Sequence, residues 1–193
     1  PGISIKLSAL HPRYEMAQRE RVMKELLPTL IGLACAARTQ GVPITFDAEE
    51  SDRLEISLDL FEALAFEQSL AGWDGLGLAV QAYQKRAPAV IDWLSELARC
   101  SAHRFNIRLV KGAYWDSEIK LAQERGLSDY PVYTNKAATD ISWLACAAKL
   151  LDDPRAFYPQ FATHNALCVA RVIEMARQRK TSASEFEFQR LHG

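Results

Sequence analysis

Short apolar segments alternate with longer amphipathic segments along the whole chain. Six short segments are rich in Ile, Leu, Val and Phe, which predicts β-strands near 3–10, 43–50, 76–83, 104–114, 158–165 and 186–193. Between them apolar residues recur at spacings of three and four, which predicts helices over 14–39, 54–65, 88–98, 117–125 and 134–151, and one that carries Val169, Ile173 and Ala176. Strands that alternate with helices indicate right-handed βαβ units and a parallel sheet.

Several residues predict where the helices begin, end and bury a face. Pro28 should kink or break the first helix, and Gly41 should end it. Ser51 or Asp52 should cap the second helix. The buried face of the helix over 134–151 is expected to consist of Ile141, Leu144, Ala148 and Leu151.

Six βα units fit two α/β architectures, an open doubly wound sheet and a TIM-like (β/α)8 barrel represented by six of its eight units. Ligands of an open sheet gather at one switch point, whereas every strand of a barrel contributes to one mouth at its C-terminal face. Polar side chains occur within or at the end of all six predicted strands, which favours the barrel: Lys6, Asp47, Gln81, Arg108, Thr163 and Gln189.

Composition removes several classes of function. The net charge is −1, which gives no support for general nucleic-acid binding by a basic surface. The four cysteines form no CxxC pair, which favours a reduced, cytosolic protein over a disulfide scaffold. The four histidines form no HExxH motif, so a metal site is not expected. No apolar run is long enough for a membrane span, and no secretory leader is visible.

The first two strands each bring one charged residue to the predicted mouth. Lys6 stands between apolar neighbours and would suit an anionic group of a substrate, unless it lies on a solvated edge. Asp47 needs a partner if it is buried, and Lys6 or Arg108 could supply one, either within an active site or as a structural ion pair. Glu49 and Glu50 are expected to begin a solvated loop.

The stretch from Arg108 to Trp115 is the most informative. Arg108 lies within an apolar strand, where its permanent charge could stabilise negative charge on a ligand. Lys111 could contact a phosphate or act as a Schiff-base lysine, as in aldolase barrels. Gly112 allows close approach of the backbone, and Tyr114 and Trp115 offer flat surfaces, or else they only pack the loop onto the barrel.

The remaining strand ends suit a ligand with a ring and phosphates. Gln81 could hydrogen-bond the edge of a heterocycle. Thr163, His164 and Asn165 directly precede a helix, whose N-terminus favours anions, although a residue here is also an ordinary cap. Together with the cations and aromatic faces, these groups indicate a large cofactor with a heterocycle at one end and phosphates at the other.

Six stretches of the chain, in this order, resemble the proline dehydrogenase domain of bacterial bifunctional PutA proteins: SIKLSALHPRY, DAEE followed by DRLEISLDL, AYQKR, RLVKGAYWDSEIK, PVYTNK and YPQFATHNA. The resemblance covers nearly the whole chain. It implies a (β/α)8 flavoprotein barrel that oxidises L-proline to Δ1-pyrroline-5-carboxylate with FAD and passes electrons to a membrane quinone. It further implies a cytoplasmic protein that can lie on the inner membrane, without nucleic-acid binding by this part.

The resemblance also implies a role for each matching residue. Arg108 matches the arginine beside the reactive nitrogen of the flavin, and Gln81 matches a residue at the ring edge. Lys6, Asp47 and Tyr114 match substrate-site and catalytic residues, and Asp47 also lies near the cofactor. The other cofactor positions are Val110, Lys111, Gly112, Ala113, Trp115, Thr134, Lys136, Thr163, His164, Asn165, Gln189 and Leu191.

The family pattern extends beyond both ends of this sequence. Residues 1–193 are therefore expected to be a partial barrel domain that lacks the first and last strands and a final helix with an arginine pair for the substrate carboxylate. Two alternatives stay open at this point. One is an aldolase-like barrel with Lys111 as its Schiff base, and the other is a non-catalytic piece of a barrel.

Overall fold

The computed structural model describes residues 2–192. Six strands form one sheet, and each of them corresponds to a predicted strand but is shorter: β1 (Ile3–Ile5), β2 (Ile44–Phe46), β3 (Leu76–Gln81), β4 (Phe105–Val110), β5 (Phe157–Ala162) and β6 (Glu187–Gln189). Six α-helices connect or follow them: α1 (Arg19–Thr39), α2 (Leu54–Ala65), α3 (Ala87–Ser101), α4 (Trp115–Glu124), α5 (Lys136–Asp152) and α6 (Ala166–Arg179). Four short 3-10 helices lie at Leu7–Ala9, Met16–Gln18, Ser51–Arg53 and Gln68–Leu70.

The order of strands in the sheet is the order of strands in the chain. Every adjacent pair from β1 to β6 is parallel, and the order never reverses. A doubly wound sheet has a switch point where the order reverses, so that architecture is ruled out. The sheet is the curled half of a barrel, as the spread of polar residues over six strands predicted.

Alternation along each strand separates an apolar face from a polar one. On β4, Phe105, Ile107 and Leu109 are fully buried and face the helices, whereas Asn106 and Arg108 face the other side. Helices pack side by side over the apolar face, α1 on α2, α2 on α3, α3 on α5 and α5 on α6. Burial of aromatic side chains there holds the layers together, and the fully buried Trp143 of α5 packs edge-on against Phe161 of β5.

The first helix runs without a break through Pro28, so the prediction of a break there was wrong. Pro28 lies on the exposed side of α1, where the carbonyl group that loses its donor can hydrogen-bond to water. The predicted end at Gly41 is confirmed, because Gly41 has φ of +64° and its N–H group donates to Arg38 O.

One prediction about helices was wrong in part, and another was wrong. Of the face predicted for α5, Leu151 is buried and Leu144 is partly buried against the core, but Ile141 is 69% exposed. The rest of the buried face is formed by Trp143, Cys146, Ala147 and Leu150. Neither Ser51 nor Asp52 caps α2 with its side chain, because both lie in the preceding 3-10 helix. α6 carries Val169, Ile173 and Ala176 as predicted, and its packed face is formed by Cys168, Val172 and Ala176, with Ile173 exposed.

Cys35, Cys100, Cys146 and Cys168 are all free thiols. None of the helices within residues 2–192 is both long and apolar enough to cross a bilayer.

Candidate active site

Arg108 on β4 joins both edges of the sheet across its polar face. Its Nε donates to Gln189 Oε1 at 2.7 Å, and its Nη1 donates to Ser4 Oγ and Asp47 Oδ1, both at 2.8 Å. Ser4 lies on β1, three strands away, a distance of about 14 Å in a flat sheet. The sheet must therefore curl around Arg108, and the polar face is the concave one.

The ion pair between Arg108 and Asp47 is partly shielded from water, with the two side chains 20% and 40% exposed. Burial raises the pKa of Asp47 above its usual range and outweighs the opposing effects of Arg108. Arg108 is thus the partner of Asp47, and it is one of the two cations, Lys6 and Arg108, that the sequence offered for this carboxylate. The second terminal nitrogen of Arg108, Nη2, has no protein acceptor within residues 2–192 and can bind a ligand.

A pocket of about 470 Å³ lies beside Arg108 at the carboxyl ends of β4, β5 and β6. Its walls combine apolar and polar groups, as is typical of a cofactor site. Among the predicted site residues it brings together Arg108, Val110, Thr163, His164, Gln189 and Leu191, and it also includes Ser4, Ala162 and Arg190.

The turn from β5 into α6 forms one wall of the pocket. Thr163 Oγ1 accepts from the N–H group of Asn165 at 3.1 Å, and Asn165 Oδ1 accepts from that of Cys168 at 3.1 Å. His164 Nε2 accepts from the N–H group of Leu191 at 3.3 Å, which connects this turn to the segment after β6. Asn165 is therefore a helix cap, and Thr163 and His164 shape the pocket wall.

Lys6 and Tyr114 lie next to each other at the mouth. Lys6 follows β1 and is exposed, and its Nζ lies 5.7 Å from the centre of the Tyr114 ring. The Tyr114 hydroxyl is the main cause of a pKa of Lys6 above its ordinary value, with smaller contributions from Glu49 and Glu50. Lys6 is thus a protonated amine facing open space, which suits a carboxylate ligand.

Gln81 lies below the mouth and not on the wall of the pocket. Its side chain is 3% exposed, its Nε2 donates to Glu49 O at 2.7 Å, and its Oε1 accepts from the N–H group of Ala113 at 3.0 Å. Gly112 lies directly on the buried ring of Tyr83, with φ of +149°. Both contacts fix the segment 111–114, here called the β4 loop.

Lys111 and Lys136 share the carboxylate of Asp140. Lys111 Nζ donates to Oδ1 at 2.5 Å, and Lys136 Nζ donates to Oδ2 at 2.7 Å, so the two lysines lower the pKa of Asp140. The Lys111 amine is engaged in this ion pair and does not line the pocket beside Arg108, and this disfavours the Schiff-base hypothesis.

Thr134 and Trp115 lie near the ion-paired lysines rather than on the wall of the pocket. Thr134 precedes Asn135, whose side chain caps α5 by accepting from the N–H group of Ala137 at 2.8 Å. Trp115 is 43% exposed and begins α4, and its indole N–H donates to Tyr133 O at 3.0 Å. Its ring is anchored at one edge and open to a ligand on its exposed surface.

The expectation that Glu49 is solvated was wrong. Its side chain is fully buried, its Oε1 accepts from the N–H group of Ser8 at 2.9 Å, and its Oε2 accepts from Arg53 at 2.6 Å. Glu50 is also partly covered and lies 3.1 Å from Arg53. Sequence reasoning further missed Ser4, Asp140 and Arg190. Only Ser4 could have been found from the sequence, because it is two residues before Lys6, and side chains two positions apart in an extended segment lie on the same side.

Comparison with known proteins identifies the fold and the family. The family model described as proline dehydrogenase matches residues 1–193. The chain belongs to the proline dehydrogenase family. It is 62% identical over 193 residues to the bifunctional protein PutA of Escherichia coli strain K12, and 52% identical to that of Rhizobium meliloti. It is 27% identical over 167 residues to proline dehydrogenase 1 of Bacillus subtilis strain 168.

Solved structures of PutA proteins share this fold. A crystal structure of Bradyrhizobium japonicum PutA superposes with a TM-score of 0.95 at 61% identity, and it covers the whole chain. PutA from Bdellovibrio bacteriovorus, inactivated by N-propargylglycine, has a TM-score of 0.93 at 32% identity over 97% of the chain. The chain spans 14% of the length of the Escherichia coli protein, 47% of the Bacillus subtilis protein and 20% of each crystallised PutA chain.

Proposed function

We propose that this proline dehydrogenase domain takes part in proline catabolism by oxidising L-proline to Δ1-pyrroline-5-carboxylate, with FAD as the hydride acceptor. The observation that carries the proposal is the geometry of Arg108. Its guanidinium is held by Ser4, Asp47 and Gln189, while its Nη2 keeps its hydrogen-bonding capacity beside the pocket. A rigid, partly desolvated cation favours a ligand that becomes more negative during reaction.

The residues around the pocket fit a flavin. The Nη2 of Arg108 would face its ring, and Val110 and Gln189 would line the same part of the pocket. The N–H groups of Ala166 and Leu167 at the start of α6 have no protein acceptor within residues 2–192, which suits phosphate oxygens. When bound, FAD would supply the atom, N5, that accepts a hydride equivalent from the substrate.

Other predicted cofactor residues act from outside this pocket in the proposal. Lys111 and Lys136 contribute a paired cationic surface for the polar part of the cofactor, Thr134 contributes a hydroxyl group, and Trp115 contributes an aromatic surface. Gln81 holds Ala113 and thereby the β4 loop. Asn165 keeps the N-terminus of α6 in place, with Thr163, His164 and Leu191 beside it.

The substrate would bind between Lys6, Asp47 and Tyr114. The exposed ammonium of Lys6 would attract the proline carboxylate, and the Tyr114 ring would exclude water from one side of the pyrrolidine ring. Asp47 would hold Arg108 in position and balance its charge. In this proposal the amine of proline reacts in its free-base form, so no strong protein base is required.

The remaining proposals concern the wider protein. Residues 1–193 would form part of one barrel domain, completed by strands outside this chain. A membrane quinone would receive the electrons, and the protein would be cytoplasmic with peripheral contact to the membrane. These proposals are supported by the family membership and by the similarity to PutA proteins.

Flavin retention and its response to proline test the proposed function. The full natural polypeptide would be incubated with FAD, desalted, and its visible spectrum recorded anaerobically before and after addition of L-proline. We expect retained flavin that L-proline bleaches and that D-proline, as a control, leaves oxidised. A folded protein that retains no flavin, or retained flavin that L-proline does not bleach, would contradict the proposal.

A further inference from the structure

Glu118 is a buried carboxylate to which the proposed chemistry gives no role. Its side chain lies on α4, the residue is 3% exposed, and no salt bridge within residues 2–192 neutralises it. Burial of an unpaired carboxylate costs several kcal/mol unless hydrogen bonds compensate for it. The contacts that compensate for this burial therefore indicate what the residue does.

Both oxygens of Glu118 bind the same residue, Ser51. Oε1 accepts from the N–H group of Ser51 at 2.5 Å, and Oε2 accepts from the Ser51 hydroxyl at 2.6 Å. The two residues are 67 positions apart in the chain. Two hydrogen bonds to the two oxygens of one side chain fix direction as well as distance, so this contact resists rotation of α4 against Ser51.

Ser51 belongs to the segment 47–53, here called the β2 loop, which begins with Asp47. The carbonyl group of Ser51 also accepts from Arg86 Nη2 at 2.8 Å, and the carbonyl group of Glu49 accepts from Gln81. A shift of Ser51 would therefore propagate over four residues to Asp47, the partner of Arg108.

The other end of the contact leads to Tyr114. The backbone N–H group of Glu118 donates to Tyr114 O at 2.9 Å, within the first turn of α4. Tyr114 immediately precedes α4 and lies beside Lys6. The Glu118 residue thus connects Tyr114, which faces the substrate site, with the β2 loop, which begins with Asp47.

We propose that Glu118 is a positioning residue, which clamps the β2 loop to α4 and so fixes Asp47 and Tyr114 relative to Arg108. The inference rests on the proposed function for its effect on catalysis, but the clamp itself is a property of the fold. The second link between these elements, from Arg125 to Asp52 at 3.2 Å, is about half exposed on both sides and contributes little.

The test compares four variants of the full natural polypeptide: Glu118→Ala, Glu118→Gln, Ser51→Ala and the double alanine variant. Glu124→Ala, on the exposed side of α4, is the matched control. Steady-state kinetics with L-proline and an artificial electron acceptor give kcat and KM. Hydrogen–deuterium exchange of the FAD-free proteins, in native buffer, reports opening of the β2 and β4 loops independently of activity.

We expect Glu118→Ala to lower kcat/KM about 10- to 100-fold and to speed exchange in both loops. Ser51→Ala should have a smaller effect in the same direction, because its backbone N–H group still donates to Glu118. The double variant should be no worse than Glu118→Ala, because that change already removes both hydrogen bonds. Glu118→Gln should stay close to the natural protein, since an amide can accept from the Ser51 N–H group and donate to its hydroxyl.

Three results would overturn the inference. The first is that Glu118→Ala leaves the exchange of both loops unchanged, and the second is that its kcat/KM equals that of Glu124→Ala. The third is that Glu118→Gln is as impaired as Glu118→Ala. The last result would mean that the charge of Glu118 matters and not its position. A natural protein that fails to oxidise proline while Glu118→Ala still loosens both loops would refute the proposed function and leave the clamp intact.

Discussion

Replacing Gly112 with alanine should destabilise the fold through the β4 loop. A Cβ atom at this position would lie 2.5 Å from both Cδ1 and Cδ2 of Tyr83, and closer still to Cγ. Carbon atoms pack at about 3.5–4.0 Å, so either the loop or the ring must move by about 1 Å. The ring is 2% exposed and surrounded by packed atoms, so the loop is the part that shifts.

Two contributions to the free energy of unfolding follow from this geometry. Overpacking of a buried contact costs about 1–3 kcal/mol. The φ of +149° is a conformation that L residues rarely adopt, which costs a further ~1–3 kcal/mol. A loss on the order of 2–5 kcal/mol is expected, and the hydrogen bond from Ala113 to Gln81 should break as the loop moves.

Urea unfolding of Gly112→Ala and Gly126→Ala separates the two contributions. Gly126 also has positive φ, of +61°, but a Cβ atom there would meet no other atom within 4 Å, so only backbone strain is expected. The reasoning would be refuted if the two variants lost the same stability, because the contact with Tyr83 would then carry no cost.

Four further predictions follow from the same structure. Gly32→Ala, on the exposed side of α1 with open space around it, should raise the free energy of unfolding by about 0.5–1 kcal/mol in urea titrations. Trp143→Ala should lower it by about 3–5 kcal/mol, because the side chain is fully buried. Because burial raises the pKa of Asp47, the natural protein should lose stability relative to Asp47→Asn as pH rises above 3.8, when unfolding is measured at a series of pH values. Glu174, whose pKa is lowered to about 2, chiefly by Arg177, should give the opposite slope against Glu174→Gln, with stability lost as pH falls from 4.5 towards 2.

Much of the fold could be predicted from the sequence because local patterns determine strands and helices. All six strands occur where short apolar runs predicted them, and the spread of polar residues over those runs distinguished a barrel from a doubly wound sheet. Pro28 shows the limit of a local rule. Its cost depends on whether the freed carbonyl group reaches water, and that depends on which side of α1 faces the sheet.

The buried faces were harder to predict where polar or small residues take part. On α5 apolar residues lie on more than one side of the helix, and the predicted stripe included Ile141, which is exposed, while it omitted Trp143, which is fully buried. Helix periodicity constrains a face only when its hydrophobic stripe is unambiguous.

The partners of the site residues, like the buried faces, could be predicted from the sequence only in part. That Asp47 needs a cationic partner could be predicted from the sequence, with Lys6 and Arg108 as the two candidates, and the fold selects Arg108. The partners of Lys111 and Glu49 could not, because Asp140 and Ser8 lie on other elements whose distance depends on the packed fold. Glu118 and Ser51 are separated by 67 positions, and no spacing rule connects them.

The rate of flavin reduction by L-proline in Arg108→Met tests the central claim most directly. It would be measured anaerobically in single turnovers of the FAD-loaded full polypeptide, with Arg99→Met on the exposed side of α3 as the control. The account predicts a rate constant about 100- to 1000-fold lower in Arg108→Met and unchanged in Arg99→Met. An Arg108→Met protein that retains FAD and is reduced as fast as the control would contradict it.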